Sequence, residues 1–171
     1  MSQADRDKWD ERYAAGEYFS RTWATPLIER WLPRLPGRQG GRALDVACGA
    51  GRNALFLAEA GYQVDAMDIS SVAIERARAS AAERGVEVGW IVADLEEAPI
   101  PEDTYDLIVV VRYLHRPLCA RLMKALRDGG YLLYEQHVVS TRPVGGPRSA
   151  AFRLQPNELL ALFQGLRVLE Y

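Results

Sequence analysis

Gly49, Ala50 and Gly51 stand between an apolar run, ALDVAC, and a helical pattern, RNALFLAEA. Small residues at such a turn let the backbone come close to a ligand, because no bulky Cβ stands in the way. Asp68 follows about twenty residues later, at the end of the apolar run YQVDAMD. A carboxylate in that place can accept both hydroxyls of a ribose. The spacing therefore points to a ligand that carries an adenosine. A plainer role for Asp68, capping the next helix, competes with Ser70 and Ser71, which can cap it instead.

Nicotinamide dinucleotides and S-adenosylmethionine both fit that much, and three features favour the second. Asp45 lies inside the first strand, where a pyrophosphate site wants an apolar residue and an anion is repelled. The third glycine of a dinucleotide turn is missing, and Asn53 stands at the helix start. Asp94, in VADLEEAP, ends a third strand, where a carboxylate can accept a hydrogen bond from an adenine amino group. An acid-rich pocket suits a cationic sulfonium far better than a pyrophosphate. An oxidoreductase using NAD on the same turn is the alternative these features disfavour.

The elements that must hold these residues alternate regularly. A helix is expected from Asp5 to about Ala15, with Trp9 and Tyr13 on one face, and a second from Pro26, which suits a first turn. LPGRQGG breaks the chain. Strands then alternate with helical patterns: RALDVA, YQVDAMD, VEVGWIVA, YDLIVVV, GYLLYEQHV and a final LRVLEY, separated by RNALFLAEA, SVAIERARASAAER, PLCARLMKAL and NELLALF. That order means βαβ units, hence a doubly wound, mostly parallel sheet with helices on both faces. Residues 1–36 read as N-terminal cap helices and 41–171 as the α/β core of one domain. Ligands in such sheets sit beyond the C-terminal ends of the strands. The stretches to watch are therefore Ala47 to Asn53, Asp68 to Ser70, Asp94 to Glu96, Arg112 to His115, and Gln136 onward.

LDVACGAGRNALFLAEAGYQVDAMDIS, VADLEEAPIPEDTYDLIVVVRYLHRPL and ALRDGGYLLYEQHV resemble the successive motifs of class I S-adenosylmethionine-dependent methyltransferases. The GAGRN turn and YLHR loop are most similar to those of the tellurite-resistance and thiopurine-type small-molecule enzymes. The resemblance implies that Ala47, Gly49, Gly51 and Arg52 meet the methionine end of the cofactor with Asp45, and that Asp68 holds the ribose. It implies that Ile69 and Leu95 sandwich the adenine, that Asp94 meets its amino group, and that the backbone near Arg112 lies beside the sulfonium. Trp9 and Tyr13 are expected as a lid, with Tyr113 and the arginines Arg142 and Arg148 of the loop STRPVGGPRSAAF on the acceptor side. Family members close the sheet with a hairpin of strands six and seven. Here LRVLEY reads as strand six alone, so the last antiparallel strand is expected to be missing and a sheet edge open.

Methyl transfer from a sulfonium is an in-line displacement with a good leaving group, so positioning supplies most of the catalysis. Few acid–base residues are expected. His115, beyond the fourth strand, and His137, beyond the fifth, are candidate bases, and Arg112 is a candidate for an anionic ligand or a brace for Glu135. Cys48 reads as a small packing residue, and no metal-ligand spacing occurs. A module that binds S-adenosylmethionine without turnover fits the same residues.

The bulk composition agrees with this reading. In 171 residues, 49% are hydrophobic and 26% charged, enough for one apolar core. A net charge of −2 speaks against a nucleic-acid partner. No apolar run is long enough to span a membrane, and MSQADRDKWDERY lacks the apolar stretch of a signal peptide. Two cysteines make no disulfide framework. A reduced cytoplasmic protein, monomer or homodimer, acting on a small molecule is the expectation.

Overall fold

The computed structural model describes residues 3–18, 20–36, 39–141, 145–147 and 149–171. Two helices come first, α1 (Gln3–Ala14) and α2 (Pro26–Trp31), the latter running into a short 3-10 turn, Leu32–Arg34. Then β1 (Arg42–Val46), α3 (Arg52–Glu59), β2 (Gln63–Asp68), α4 (Ser71–Arg84), β3 (Gly89–Val92) and β4 (Tyr105–Val111) follow. The chain ends with α5 (Leu118–Ala125), β5 (Leu126–Glu135), a 3-10 turn at Ala150–Phe152 and α6 (Glu158–Leu162). The strands lie in the order β3-β2-β1-β4-β5, and every neighbouring pair is parallel.

Alternation along the central strands explains the two faces. Ala43, Leu107 and Val109 turn to one side, where they pack with Ile28 and Leu32 of the N-terminal segment, Leu57 of α3 and Ile74 of α4. Leu44, Val46, Ile108 and Val110 turn to the other, against Leu118 and Leu122 of α5 and Phe163 just beyond α6. A parallel sheet covered on both faces needs apolar residues at nearly every position, which is why YDLIVVV is so uniformly apolar and β-branched. Asp45 is the exception in β1. The turn chemistry also follows the sequence: the Ser70 side chain accepts the Ala73 N–H at the start of α4, and Gly85 closes that helix with φ +65°.

The chain leaves β1 toward β2 on one side and leaves β4 toward β5 on the other. Strand order therefore reverses between β1 and β4, and a crevice opens beyond their C-terminal ends. Ala47 to Asn53, Asp68 to Ser70, Asp94 to Glu96 and Arg112 to His115 follow the C-terminal ends of β1, β2, β3 and β4.

Two expectations are corrected. Residues 166–171, read as a sixth strand, form no strand; Val168, Leu169 and Tyr171 are exposed. An apolar alternation of this kind forms a strand only when a neighbour completes its ladder, and β5 has β4 as its sole strand partner among the described residues. The tail is instead tied to α2, where Glu170 pairs with Arg30 and accepts a hydrogen bond from the Trp31 indole N–H at 2.7 Å. The third strand is also shorter than VEVGWIVA suggests, because it is a half-exposed edge that pairs only over Gly89–Val92.

Candidate functional site

The turn after β1 is held open by three residues with left-handed backbones. Ala47, Gly49 and Gly51 have φ of +55°, +55° and +80°. A non-glycine residue such as Ala47 adopts this conformation at some cost, and such strain gathers where backbone groups must face a ligand. The Gly49 N–H donates to Asp68 Oδ2 at 2.8 Å, and the Ser70 N–H donates to Asp68 Oδ1 at 2.9 Å. Both oxygens of Asp68 are thus fixed at the tip of β2, with lone pairs left for further donors. The residue is 8% exposed, and burial raises its pKa.

Asp45 sits one layer deeper, 1% exposed, on the face of β1 that carries α3. Burial pushes its carboxyl up to about 7, while the Ala54 N–H pulls the other way. Its Oδ2 has no hydrogen-bond partner among the described residues. An orphaned acceptor beneath an open glycine turn suits a ligand with positive charge or N–H donors, as the methionine end of S-adenosylmethionine would present. Asp94 caps the turn after β3, its Oδ1 accepting the Glu96 N–H at 2.9 Å.

The N-terminal helix lies over this end of the rim. Asp10 of α1 caps α4, accepting from Ser70 Oγ at 2.6 Å, Ser71 Oγ at 3.3 Å and the Val72 N–H at 3.2 Å. Arg76 of α4 donates back to the Tyr13 carbonyl at 2.9 Å. These contacts place the Tyr13 hydroxyl directly against Gly49, where any Cβ would overlap it. Burial raises the Tyr13 pKa, with Asp68 adding to it. Trp9 stands beside it, the ring centroids 6.4 Å apart. Asn53 explains the GRN part of the turn: its Oδ1 accepts both the Thr25 N–H (2.9 Å) and the Thr25 hydroxyl (3.1 Å), tying the start of α2 to α3. Arg52 donates to the same Thr25 hydroxyl at 3.0 Å.

The rim beyond β4 and β5 is different. Arg112 follows β4 with φ +59°, and its guanidinium lies 3.5 Å from Glu135. His137 and Arg153 line an open cleft of about 720 Å³ with Arg112, Gln136, Ser140 and Gly146. Burial lowers the His137 pKa, and Arg112 and Arg153 lower it further, so the imidazole is neutral near pH 7. His115 does not line that cleft; its Nδ1 lies 3.4 Å from Glu96. Tyr113 is half-buried behind it, its carbonyl accepting from Tyr134.

The nominated residues thus fall into three places. Asp45, Ala47, Gly49 and Asp68 lie at the β1–β2 tips, with Tyr13 against Gly49; Gly51, expected to face the ligand, instead packs against Trp90 and Ala77, which a Cβ there would overlap. Arg112 and His137 share the cleft at the β4–β5 tips. Ile69 and Leu95 are buried side chains, and Leu95 packs in the core with Met67 and Ile108. Arg142 and Arg148 lie outside the described residues. Cys48 is a buried thiol whose pKa is raised far by burial, consistent with packing. Among the described residues no cluster of His, Cys, Asp or Glu could hold a metal ion. Asp10, Thr25 and Arg153 were not singled out by sequence. Only the acid beside Trp9 and the threonine before Pro26 carried a hint.

Residues 43–130 match the methyltransferase domain family. The chain is 31% identical over 145 residues to the 27-O-demethylrifamycin SV methyltransferase of Amycolatopsis mediterranei, covering 80% of this chain and 52% of that protein. It is 30% identical over 137 residues to a probable S-adenosyl-L-methionine-dependent methyltransferase, TehB, of Haemophilus influenzae, covering 76% and 47%. The crystal structure of Haemophilus influenzae TehB superposes with a TM-score of 0.72 at 23% identity, over 95% of this chain and 57% of that one, a likeness of fold. The chain spans about half the length of the curated relatives it matches. With the glycine turn, the two acids at the tips of β1 and β2 and the sheet order all in place, the chain belongs to the class I S-adenosylmethionine-dependent methyltransferases.

Proposed function

We propose that this chain binds S-adenosylmethionine at the β1–β2 tips and transfers its methyl group to a small-molecule acceptor seated beyond β4 and β5. The observation that carries the reading is the Gly49–Asp68 hydrogen bond beside the orphaned Asp45 oxygen, a preorganised acidic cradle under a turn that Tyr13 covers. When bound, the cofactor supplies a methyl group on a sulfonium, which is electrophilic without help from a metal. The protein's own contribution is placement. Asp68 accepts from the ribose, Asp45 faces the cationic end, and Asp94 faces the adenine. Ile69, Leu95 and Arg52 support these groups from behind.

Tyr13 and Trp9 act as the lid. Because the Tyr13 hydroxyl rests on Gly49, a ligand reaches that backbone only after Tyr13 moves, with α1 pivoting on its Asp10 and Arg76 contacts. The helix then covers the bound cofactor and excludes water. His137, neutral and on the cleft wall, is the better placed of the two histidines to take a proton from an acceptor hydroxyl or thiol; His115 orders its loop through Glu96. Tyr113 and Arg112 form the floor between cofactor and acceptor. Residues 1–36 and 41–171 work as cap and core of one unit.

No helix among the described residues is long and apolar enough to cross a membrane. The two free, buried cysteines suit a reducing cytoplasmic setting. A monomer or homodimer without a nucleic-acid partner fits the near-neutral charge.

Calorimetric titration with S-adenosylmethionine, S-adenosylhomocysteine and NAD tests the reading. Both sulfur compounds should bind and NAD should not. Asp68→Ala should weaken binding by about 1.5–3 kcal/mol, the range for hydrogen bonds to a charged group. Tight NAD binding, or an indifferent Asp68, overturns it. Binding without S-adenosylhomocysteine release on any acceptor would leave a binding module in place of an enzyme.

A further inference from the structure

We infer that the cleft beyond β4 and β5 recognises its small-molecule acceptor through an oxyanion, a carboxylate or a group of like charge and shape, held between Arg112 and Arg153 beside His137. The inference rests on the methyltransferase reading and adds the chemical class of its acceptor.

Arg153 carries the argument. Its Nε donates to the Pro147 carbonyl at 2.8 Å, Nη1 to Val138 at 3.1 Å and Nη2 to Gly145 at 3.1 Å. All three are neutral acceptors, and among the described residues Arg153 meets no carboxylate. The guanidinium therefore knits the loop after β5 to the segment before α6 while its positive charge stays uncompensated. A fixed cation on a cleft wall is prepared for an anion in a way that a solvated side chain is not, because its conformational entropy is already lost.

The rest of the cleft has the same sign. Arg112 projects from the tip of β4, and its nearest acid is Glu135 at 3.5 Å. Arg52 is close enough that Arg112 and Arg21 both help to lower its pKa, after burial. Among the described residues, the charged groups that act on His137 are Arg112 and Arg153, with Glu135 as the one acid. A neutral imidazole flanked by two guanidiniums can donate to an oxyanion or accept from a neighbouring hydroxyl without adding charge. Gly146, with φ +103°, lies against the imidazole so closely that any Cβ would overlap the ring, which fixes the ring's place in the wall. The volume, about 720 Å³, suits a small organic acid.

The test uses the whole chain saturated with S-adenosylhomocysteine, read by ligand-observed NMR with benzoate, phenylphosphonate and neutral benzamide as probes. Benzoate and phenylphosphonate should bind, benzamide should not, and affinity should fall as salt rises. Arg112→Gln, saturated with S-adenosylhomocysteine at its own measured affinity, should weaken the anions about tenfold or more, as expected for loss of one charge-assisted contact. Arg153→Gln removes the loop ties as well, so Arg153→Lys, which keeps the charge, is made beside it and should retain most of the preference. Equal binding of benzamide and benzoate, or no anion binding to the loaded protein, overturns the inference and leaves the methyltransferase reading standing. Failure of S-adenosylhomocysteine itself to bind overturns that reading instead. Anion binding that persists in that case would assign the cleft to anions without making it a methyl-acceptor site.

Discussion

The two halves of the strand rim are built to opposite specifications. At the β1–β2 tips the functional groups are acids, buried, fixed by backbone N–H groups and covered by α1. At the β4–β5 tips they are bases, half-exposed, and they border an open cleft. One side suits a ligand with net positive charge and an adenosine; the other suits a ligand with negative charge and variable shape. The contrast also separates two kinds of constraint. The acidic half is tied by backbone N–H groups to Asp68 and covered by Tyr13, so its backbone is over-determined. The basic half lies on a loop-rich wall, where loops vary and carry specificity. Each half can be disturbed without the other, and that independence can be measured.

The largest effect should come from Gly49→Ala. A left-handed backbone at φ +55° costs a non-glycine residue about 1–2 kcal/mol. The added methyl also overlaps the Tyr13 hydroxyl, and overpacking of this kind costs about 1–3 kcal/mol. Thermal or denaturant unfolding should show both losses together. Tyr13→Phe in the same chain removes the overlapping oxygen and should restore the second loss but not the first, a coupling that a double-mutant cycle reads directly. Additive effects would mean that Tyr13 does not rest on the turn in solution. The β4–β5 cleft should keep its anion affinity in Gly49→Ala.

Asp45 gives a smaller effect with a definite pH signature. Its carboxyl titrates at about 7 when folded, against 3.8 as the ordinary value. Between those limits the folded chain holds a proton that the unfolded chain has released. Stability at this site is therefore undiminished below pH 4, falls as pH rises through that window, and is lowest above about pH 7. Asp45→Asn should accordingly match the wild type at pH 4 and exceed its melting temperature at pH 8. Binding a cation beside the carboxylate favours its ionised form, so S-adenosylmethionine should release a proton on binding at pH 6. Calorimetry in buffers of different ionisation enthalpy detects that release, and Asp45→Asn should abolish it.

What the sequence made legible follows the same division. The acidic half could be read because its signals are local. Two glycines, a strand carrying Asp45, and Asp68 at a fixed distance each report on backbone that repeats in order along the chain. Ser70 and Gly85 marked the ends of α4 for the same reason. The basic half depends on long-range placement. Arg153 meets its carbonyl partners only because the loop after β5 folds back on the segment before α6, and no period or spacing announces that. His115 and His137 looked alike in sequence as residues just past a strand, yet one turns to Glu96 and the other to the cleft. LRVLEY had the composition of a strand and formed none, because a strand needs a neighbour as well as a propensity. Asp10 was hidden among the charges of α1, where one carboxylate reaches across to cap another helix.

The smallest effect tests whether the basic half owes its character to a balance of charges. Among the described residues Glu135 is the acid paired with Arg112 and the one acid among the charges that perturb His137. The pair is about one-third to two-fifths exposed on each side, 43% for Arg112 and 34% for Glu135, so solvent screens it and its own stability is small. Glu135→Gln should leave the melting temperature almost unchanged. It should change S-adenosylhomocysteine affinity less than anion affinity, because the acids of the cradle lie on β1 and β2, beyond Arg52. Benzoate affinity should rise about two- to fivefold at low salt, the scale of a screened charge interaction, and the gain should fade at high salt. His137 should then titrate lower still, since the acid that favours its charged form is gone while Arg112 and Arg153 remain. An NMR titration of the imidazole follows that shift directly. An unmoved His137 together with unchanged anion affinity would mean that Glu135 does not act on the cleft, and that Arg112 is free of it in solution.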